Sequence, residues 1–336
     1  MDLDVLFVGT AGSAPSARRG LPATLVRRGG DRLLFDCGEG TQRQLVRSTG
    51  LIELEDVFIT HFHADHVLGL PGMLKTFGLR QRERALRVYG PAGLRALFGT
   101  LRPIVGRVGF PVELYELEPN QEIERDGYRI AAYETDHGVG ALGYALVEDP
   151  RPGAFDPERA RELGVKPGPD FGRLQQGEEV NGVSPGQVMG EARRGRRVVL
   201  TGDTAPCDMT RLVAWEADLL VHEATFTDED VERAAETHHS TARQAAELAA
   251  AAGVRMLALT HISPRYSGGQ VRDEARAAFE NVIVPRDFDT VEIPFPERGE
   301  PTHIKRPTRS AEASDGASGK SGSHTPTGSA PAGREP

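Results

Sequence analysis

A layered α/β fold is predicted by two features of the sequence. Short apolar runs, most of them rich in β-branched residues, recur at residues 5–8, 32–35, 57–59, 128–133, 198–200, 219–221 and 256–259. Each stops at a polar or glycine-containing step such as Gly9-Thr10, Asp36-Cys37-Gly38 or Thr60-His61. Runs of this length and composition are strand signals. Helix-length segments lie between them, at residues 70–87 and 241–252, the second with Ser240 as candidate N-cap and Gly253 at its end. Strands alternating with helices pack as helices against sheets. The chain has 336 residues, 38% of them hydrophobic, which is enough for a sizeable core.

Acidic residues outnumber basic ones, 49 to 40, for a net charge of −9. That balance excludes a grip on nucleic acid through overall positive charge, but it leaves room for a local basic cleft. Arginines do cluster, at Arg18-Arg19, Arg27-Arg28, residues 80–87 and residues 193–197. Two cysteines, Cys37 and Cys207, cannot build a disulfide framework and fit a reducing compartment. No apolar run approaches the ~18 residues that span a bilayer, and the first residues lack a signal-peptide pattern. A soluble, cytoplasmic protein with no membrane association is expected.

The composition breaks near Gly299. Half of the residues from 307 to 336 are Pro, Gly or Ser, with no Val, Ile, Leu, Met or aromatic among them. A folded domain over residues 1–298 and a disordered tail over 299–336 are expected. Within the domain, residues 150–179 interrupt the alternation with five prolines and several glycines, leaving only a short helical piece at 157–164. A mobile functional arm and a floppy loop fit that stretch equally well.

The chemistry concentrates in Thr60-His61-Phe62-His63-Ala64-Asp65-His66. Residues two apart point opposite ways on a helix, so this set cannot converge on one regular helical face. On a tight loop leaving a strand it can close around a cation, and imidazole with carboxylate suits zinc at about 2.0–2.2 Å. Further candidates follow other expected strands: His137, Asp203, His222 and His261. Loops beyond strand C-termini are where α/β sheets bind ligands, so these groups read as one site, with Asp203 able to bridge two metals. Such a pair suits ester or phosphodiester hydrolysis. Glu223 and the pair His238-His239 are the acid/base candidates outside the ligand set. The glycine-rich segment at residues 9–15 lacks the phosphate-loop pattern.

Together, the histidine cluster, His137, Thr201-Gly202-Asp203-Thr204 and Thr260-His261-Ile262-Ser263 resemble the successive metal motifs of the metallo-β-lactamase fold. Residues 34–45 (LFDCGEGTQRQL), 222–226 (HEATF) and 239–242 (HSTA) resemble the signatures of one branch, the ribonuclease Z family of tRNA 3′-processing endonucleases. Residues 162–174, with Gly168-Pro169, resemble the flexible arm of its short-form members.

The resemblance implies a four-layer αβ/βα sandwich with an inserted flexible arm, usually a homodimer. It implies a zinc-dependent endoribonuclease with two zinc ions per subunit, which removes the 3′ trailer from precursor tRNA. His61, His63 and His137 would hold one zinc, Asp65, His66 and His261 the other, and Asp203 both. Asp65 would also accept the proton of the attacking water, and Glu223 and His239 would serve the leaving oxygen; His222 drops out as a ligand. The arm, through Gly168 and Pro169, would clamp the tRNA bound at the partner subunit, with Arg19 as a further substrate contact. Ala17 and Gly20 stand where the family often has Lys and Asn, and Ala64 where Gly is frequent. A small-molecule hydrolase on the same fold, which needs no arm, is the competing enzyme reading.

Overall fold

The computed structural model describes residues 1–50 and 54–306. The first sheet contains β1 (Leu3–Gly9), β2 (Ala23–Arg28), β3 (Asp31–Phe35), β4 (Asp56–Phe58), β5 (Leu86–Gly90) and β6 (Val112–Glu116). The second contains β7 (Glu122–Arg125), β8 (Tyr128–Glu134), β9 (Leu142–Glu148), β10 (Arg197–Leu200), β11 (Leu219–Glu223), β12 (Leu257–Thr260) and β13 (Val282–Ile283). The chain then returns to the first sheet as β14 (Thr290–Glu292) and β15 (Thr302–Ile304). The strand orders are β15-β14-β1-β2-β3-β4-β5-β6 and β13-β12-β11-β10-β9-β8-β7. The strands from β3 to β6 run parallel, as do those from β10 to β13.

Parallel strands covered on both faces read as nearly continuous apolar runs, which is why β3, β4, β10, β11 and β12 stood out in the sequence, whereas β5, β6 and β13 did not. Phe35, Phe58, Tyr144 and Val221 pack in the core between the sheets. Their neighbours Leu34 and Val57 pack outward with the helix Gly69–Leu79, and Leu220 packs with the helix Ala242–Ala252. Four layers result, helix–sheet–sheet–helix, as expected. Among the described residues no helix is long and apolar enough to cross a membrane.

Four local expectations need correction. The helix expected over residues 70–87 ends at Leu79, because Gln81 turns left-handed (φ 57°) and Leu86 enters β5 beside β4. Thr241, not Ser240, caps the helix Ala242–Ala252: its side chain accepts from the Gln244 N–H, and the Gln244 side chain bonds back. The domain boundary expected after residue 298 cuts off a strand, since β15 pairs with β14 and the compact unit runs to Lys305. The tail from residue 307 onward lies outside the described residues. Finally, the insertion has a small core of its own and extends beyond residue 179. Ala160, Val165, Leu174, Val180 and Val188 pack together with Phe155 and Phe171, and backbone bridges join Arg151 to Arg193 and Phe155 to Met189.

One buried ion cluster ties the sheets together at the edge where the arm begins. Glu148, at the end of β9, accepts from Arg28 of β2 at 2.7 Å and from Arg196 at 2.7 Å. Arg196 also reaches the carbonyls of Ile293 and Met1 and lies over the Phe295 ring. Burial alone would raise the Glu148 pKa, but the bonds from Arg196 and Arg28 outweigh it and hold it below its usual value. Removing one partner strands the other charges in the interior, at a cost of about 3–5 kcal/mol. Glu148→Gln is therefore expected to destabilise the protein by that order at neutral pH, measured by denaturant unfolding. Because the folded pKa is depressed, the ionised carboxylate contributes fully above the ordinary glutamate range. The gap to the variant should close as pH falls through the folded value.

Candidate active site

The polar groups gather where β4, β10, β11 and β12 end. His61 and His63 lie on the stretch leaving β4, while Asp65 and His66 occupy a single helical turn, Ala64–Val67, with His63 at its N-cap. This loop is latched to residues 36–38: the Cys37 N–H donates to the His66 carbonyl, and the Gly69 N–H to the Cys37 carbonyl, each at 2.8 Å. Only glycine fits at position 38, where a Cβ would sit 2.3 Å from the Asp65 carbonyl oxygen. Gly202 is forced as well. Its φ is +63° and a Cβ there would lie 2.8 Å from Thr60, so the turn that presents Asp203 cannot carry a side chain.

Asp203 is the hub. Its Oδ2 lies 3.2 Å from His261 Nε2, 3.3 Å from His66 Nε2, and 3.8 Å from both His61 Nε2 and His137 Nε2. Asp65 Oδ2 is 3.3 Å from His261 Nε2 and 3.7 Å from His66 Nε2, and His63 Nδ1 faces His137 Nε2 at 3.1 Å. The structure thus brings together all seven residues expected as ligands. Two groups, His61–His63–His137–Asp203 and Asp65–His66–His261, each have ligand atoms within 4.8 Å of one another.

The imidazoles are fixed from behind. His66 Nδ1 donates to Asp36 at 2.8 Å and His137 Nδ1 to the His238 carbonyl at 2.9 Å. The Thr60 hydroxyl donates to Asp36 and so accepts from His61 Nδ1 at 3.0 Å. The Thr225 hydroxyl donates to Glu223 at 2.6 Å and accepts from His261 Nδ1 at 2.8 Å. Each ring is thereby left with its Nε2 turned to the hub, the arrangement that outer partners impose on metal-binding histidines. His61 Nε2, His66 Nε2 and Asp203 Oδ1 are buried with no hydrogen-bond partner. Unpaired buried polar atoms are costly, and a divalent cation is what this donor set fits.

The electrostatics agree. Burial, with His66 close by, pushes the His61 pKa down to about 2, which keeps that ring neutral. Burial would raise Asp203, but the charges of His261 and His66 hold it ionised well below the usual range. Asp65 stays low for the same reason, through its bond to His261.

Beside the cluster sits a second unit. His239 Nδ1 donates to Glu223 at 2.7 Å, and the Glu223 carboxylate also accepts from the N–H groups of Thr204 and Thr225 at 2.9 and 3.0 Å. Burial would lower His239, but the Glu223 charge and hydrogen bond push it up to about 9. His239 also lies within ligand range of Asp203 and His261. Its Nδ1, however, is committed to the Glu223 carboxylate, which sets the ring beside the cluster. The two neighbouring histidines separate: His238 is half exposed and bonds Asp136 at 2.9 Å. His222 turns away, its Nδ1 on the Glu223 carbonyl.

The remaining expected residues are placed as follows. Gly168 and Pro169 open a short helix in the arm, Pro169–Gln175. Arg19, expected to meet substrate, turns inward instead: it donates to Thr10 at 2.6 Å and to the Pro285 carbonyl at 2.8 Å, steadying its loop. Sequence reasoning assigned no role to Asp36, Thr60 or Thr225. The available signal was position, a polar residue directly after a strand and within the motifs that the ligands occupy.

Comparison with known proteins agrees with this geometry. Residues 19–261 match the metallo-beta-lactamase superfamily, which is the class that the fold and site define. Ribonuclease Z of Natronomonas pharaonis is 50% identical over 307 residues, covering 88% of this chain and 100% of the relative. Ribonuclease Z of Gemmatimonas aurantiaca is 48% identical, covering 88% of this chain and 98% of the relative. The crystal structure of human tRNase Z, short form, superposes with a TM-score of 0.64 at 28% identity, covering 87% of this chain and 99% of that one. The chain belongs to the ribonuclease Z family. The expected enzyme class, a metal-dependent endoribonuclease, stands with it.

Two variants test how the site is held. Asp203→Ala should lose bound metal, read by elemental analysis. Asp36→Ala leaves all seven groups in place but frees the His66 ring, and should weaken metal affinity by roughly ten- to a hundredfold.

Proposed function

We propose that this protein removes the 3′ trailer from precursor tRNA, using two zinc ions per subunit and acting as a homodimer in the cytoplasm. The observation that carries the reading is an imidazole, His239, hydrogen-bonded to the buried Glu223 carboxylate beside seven converging ligand groups. That pairing suits a reaction that must activate a water and protonate an alkoxide leaving group. His61, His63 and His137 would hold one ion, Asp65, His66 and His261 the other, with Asp203 shared between them. When bound, such a pair polarises a phosphoryl oxygen and makes a nearby water more acidic.

The side chains supply the proton transfers. Asp65 is ionised and only partly buried, and its Oδ2 is fixed by the Ser13 N–H at 2.8 Å. It takes the proton of the attacking water. The new oxygen–phosphorus bond forms on the trailer, and the bond from phosphorus to the 3′ oxygen of the tRNA breaks. His239 donates its proton to that oxygen, and Glu223 steadies the imidazolium until then. The products are a 3′-hydroxyl on the tRNA and a 5′-phosphate on the trailer.

The arm serves substrate binding rather than chemistry. Two of its arginines pair with its own carboxylates, Arg159 with Glu162 and Arg173 with Glu178. It therefore offers shape and a Gly168-Pro169 tip more than raw charge.

The direct test is a precursor transcript incubated with the zinc-loaded enzyme and mapped at its ends. Trailer release at the acceptor stem, abolished by chelation, is expected; an intact transcript would overturn the proposal. His239→Ala should retain its metal yet turn over on the order of a hundredfold more slowly, as loss of an acid/base group does. A metal-free His239→Ala protein would show that the residue is a ligand. Gly153 and Gly190 touch at the base of the arm, so residues 154–189 can be excised there. The shortened enzyme should still hydrolyse a small phosphodiester but should no longer bind tRNA.

A further inference from the structure

A second cleft opens at the root of the arm, at the other end of the strands from the metal cluster. Its volume is about 250 Å³. Arg129, Arg194, Arg197 and Trp215 line it, with Pro150 and Gly195 forming the two chain crossings into the arm. The strand rise places Arg197 within about 20 Å of Asp203, so one RNA could reach both places.

Two observations mark this cleft as a binding surface. The first is uncompensated positive charge. Arg194 pairs with Asp218 at 2.9 Å and Arg129 with Glu122 at 2.9 Å, whereas Arg197 meets only the Trp215 carbonyl, at 2.7 Å. Among the described residues no carboxylate lies within ion-pair distance of Arg197. Of the two acidic residues lining the cleft, Glu148 is engaged by Arg28 and Arg196, so the charges opposing Arg197 are Glu216 and the buried Asp218, which Arg194 and Arg255 already pair. Burial, then the proximity of Arg194 and Arg129, lowers the Arg197 pKa, which is the environment that an anion would relieve. The second observation is Trp215 itself, a large aromatic left 52% exposed beside those guanidiniums. Arginines that take phosphates next to an aromatic face that takes a base are the usual elements of a single-stranded RNA contact.

We propose that the arm-root cleft binds RNA, with Arg197 taking a backbone phosphate and the Trp215 ring taking an unpaired base. This is a second hold on the substrate that the arm engages, and it rests on the tRNA function proposed above. It gives the basic cluster at residues 193–197 a role in an acidic protein whose arm arginines Arg159 and Arg173 are already paired.

Trp215 is the single tryptophan of the sequence, so the tryptophan emission, excited selectively over tyrosine, reads this cleft alone. A mature tRNA transcript should quench that emission saturably, with the midpoint of a filter-binding isotherm. Trp215→Ala should weaken the isotherm roughly tenfold, the order of one base stacked on an aromatic ring, and Trp215→Phe should restore most of it. Arg197→Gln should flatten the dependence of log affinity on log salt by about one phosphate contact, whereas Trp215→Ala should leave that slope unchanged. Thermal melts of the variants check their folding. No quenching on tRNA binding, or isotherms unaltered in both variants, would overturn the proposal. Emission that responds to protein concentration but not to tRNA would assign the face to a second copy of the chain and overturn it as well. Cleavage of a precursor transcript, run in parallel, tests the function separately: cleavage without quenching removes only the cleft, and quenching without cleavage removes only the function.

Discussion

A buried carboxylate surrounded by imidazole nitrogens is the constraint around which this end of the molecule is arranged. Asp203 has no aqueous exit for its charge, and its Oδ1 finds no protein partner. In a low-dielectric interior that arrangement is tolerable only with compensating positive charge. The surrounding groups are prepared to accept it: four rings have the remote nitrogen tied to a carboxylate, a hydroxyl or a carbonyl, and so present the near one. The strain is local too. Asp36, His238 and His261 adopt positive φ values, which non-glycine residues take up when the surrounding structure over-determines them.

The two ends of the strands divide the work. At the C-terminal ends of β4, β10, β11 and β12 the polar groups converge on a cation site. At the opposite end of β10, Glu148 and two arginines lock the sheets together, and Arg196 reaches the first residue of the chain. The reactive end can therefore carry unpaired polar atoms because the remainder of the sandwich, a core of closely packed aromatic and branched side chains, is held independently of it.

The arm stands apart from that scheme by having its own apolar cluster and closing on itself through the bridges at its base. Such a unit can keep its shape away from the sandwich, which suits a long-reaching contact better than a flexible loop would. Its root opens beside Trp215 and Arg197, so the arm and the cleft beneath it form one continuous edge.

The sequence by itself marked β1, β3, β4, β8, β10, β11 and β12 through their apolar runs, and the ligand types through side chains clustered after those runs, whereas β2, β5 and β9, nearly as buried, were not singled out. It did not reveal short or half-exposed strands such as β6, β7 and β15, whose polar composition carries no strand signal until a neighbouring strand supplies the hydrogen bonds. Pattern alone did not separate His239 from His238, adjacent in the chain, which only the family resemblance did, and it did not show that Arg19 faces inward. The tertiary structure decided those points: which of two identical rings meets Glu223 depends on a left-handed turn at His238. The roles of Asp36, Thr60 and Thr225 were settled in the same way, since orienting an imidazole requires contact across the fold, and contact between distant residues is a property of packing.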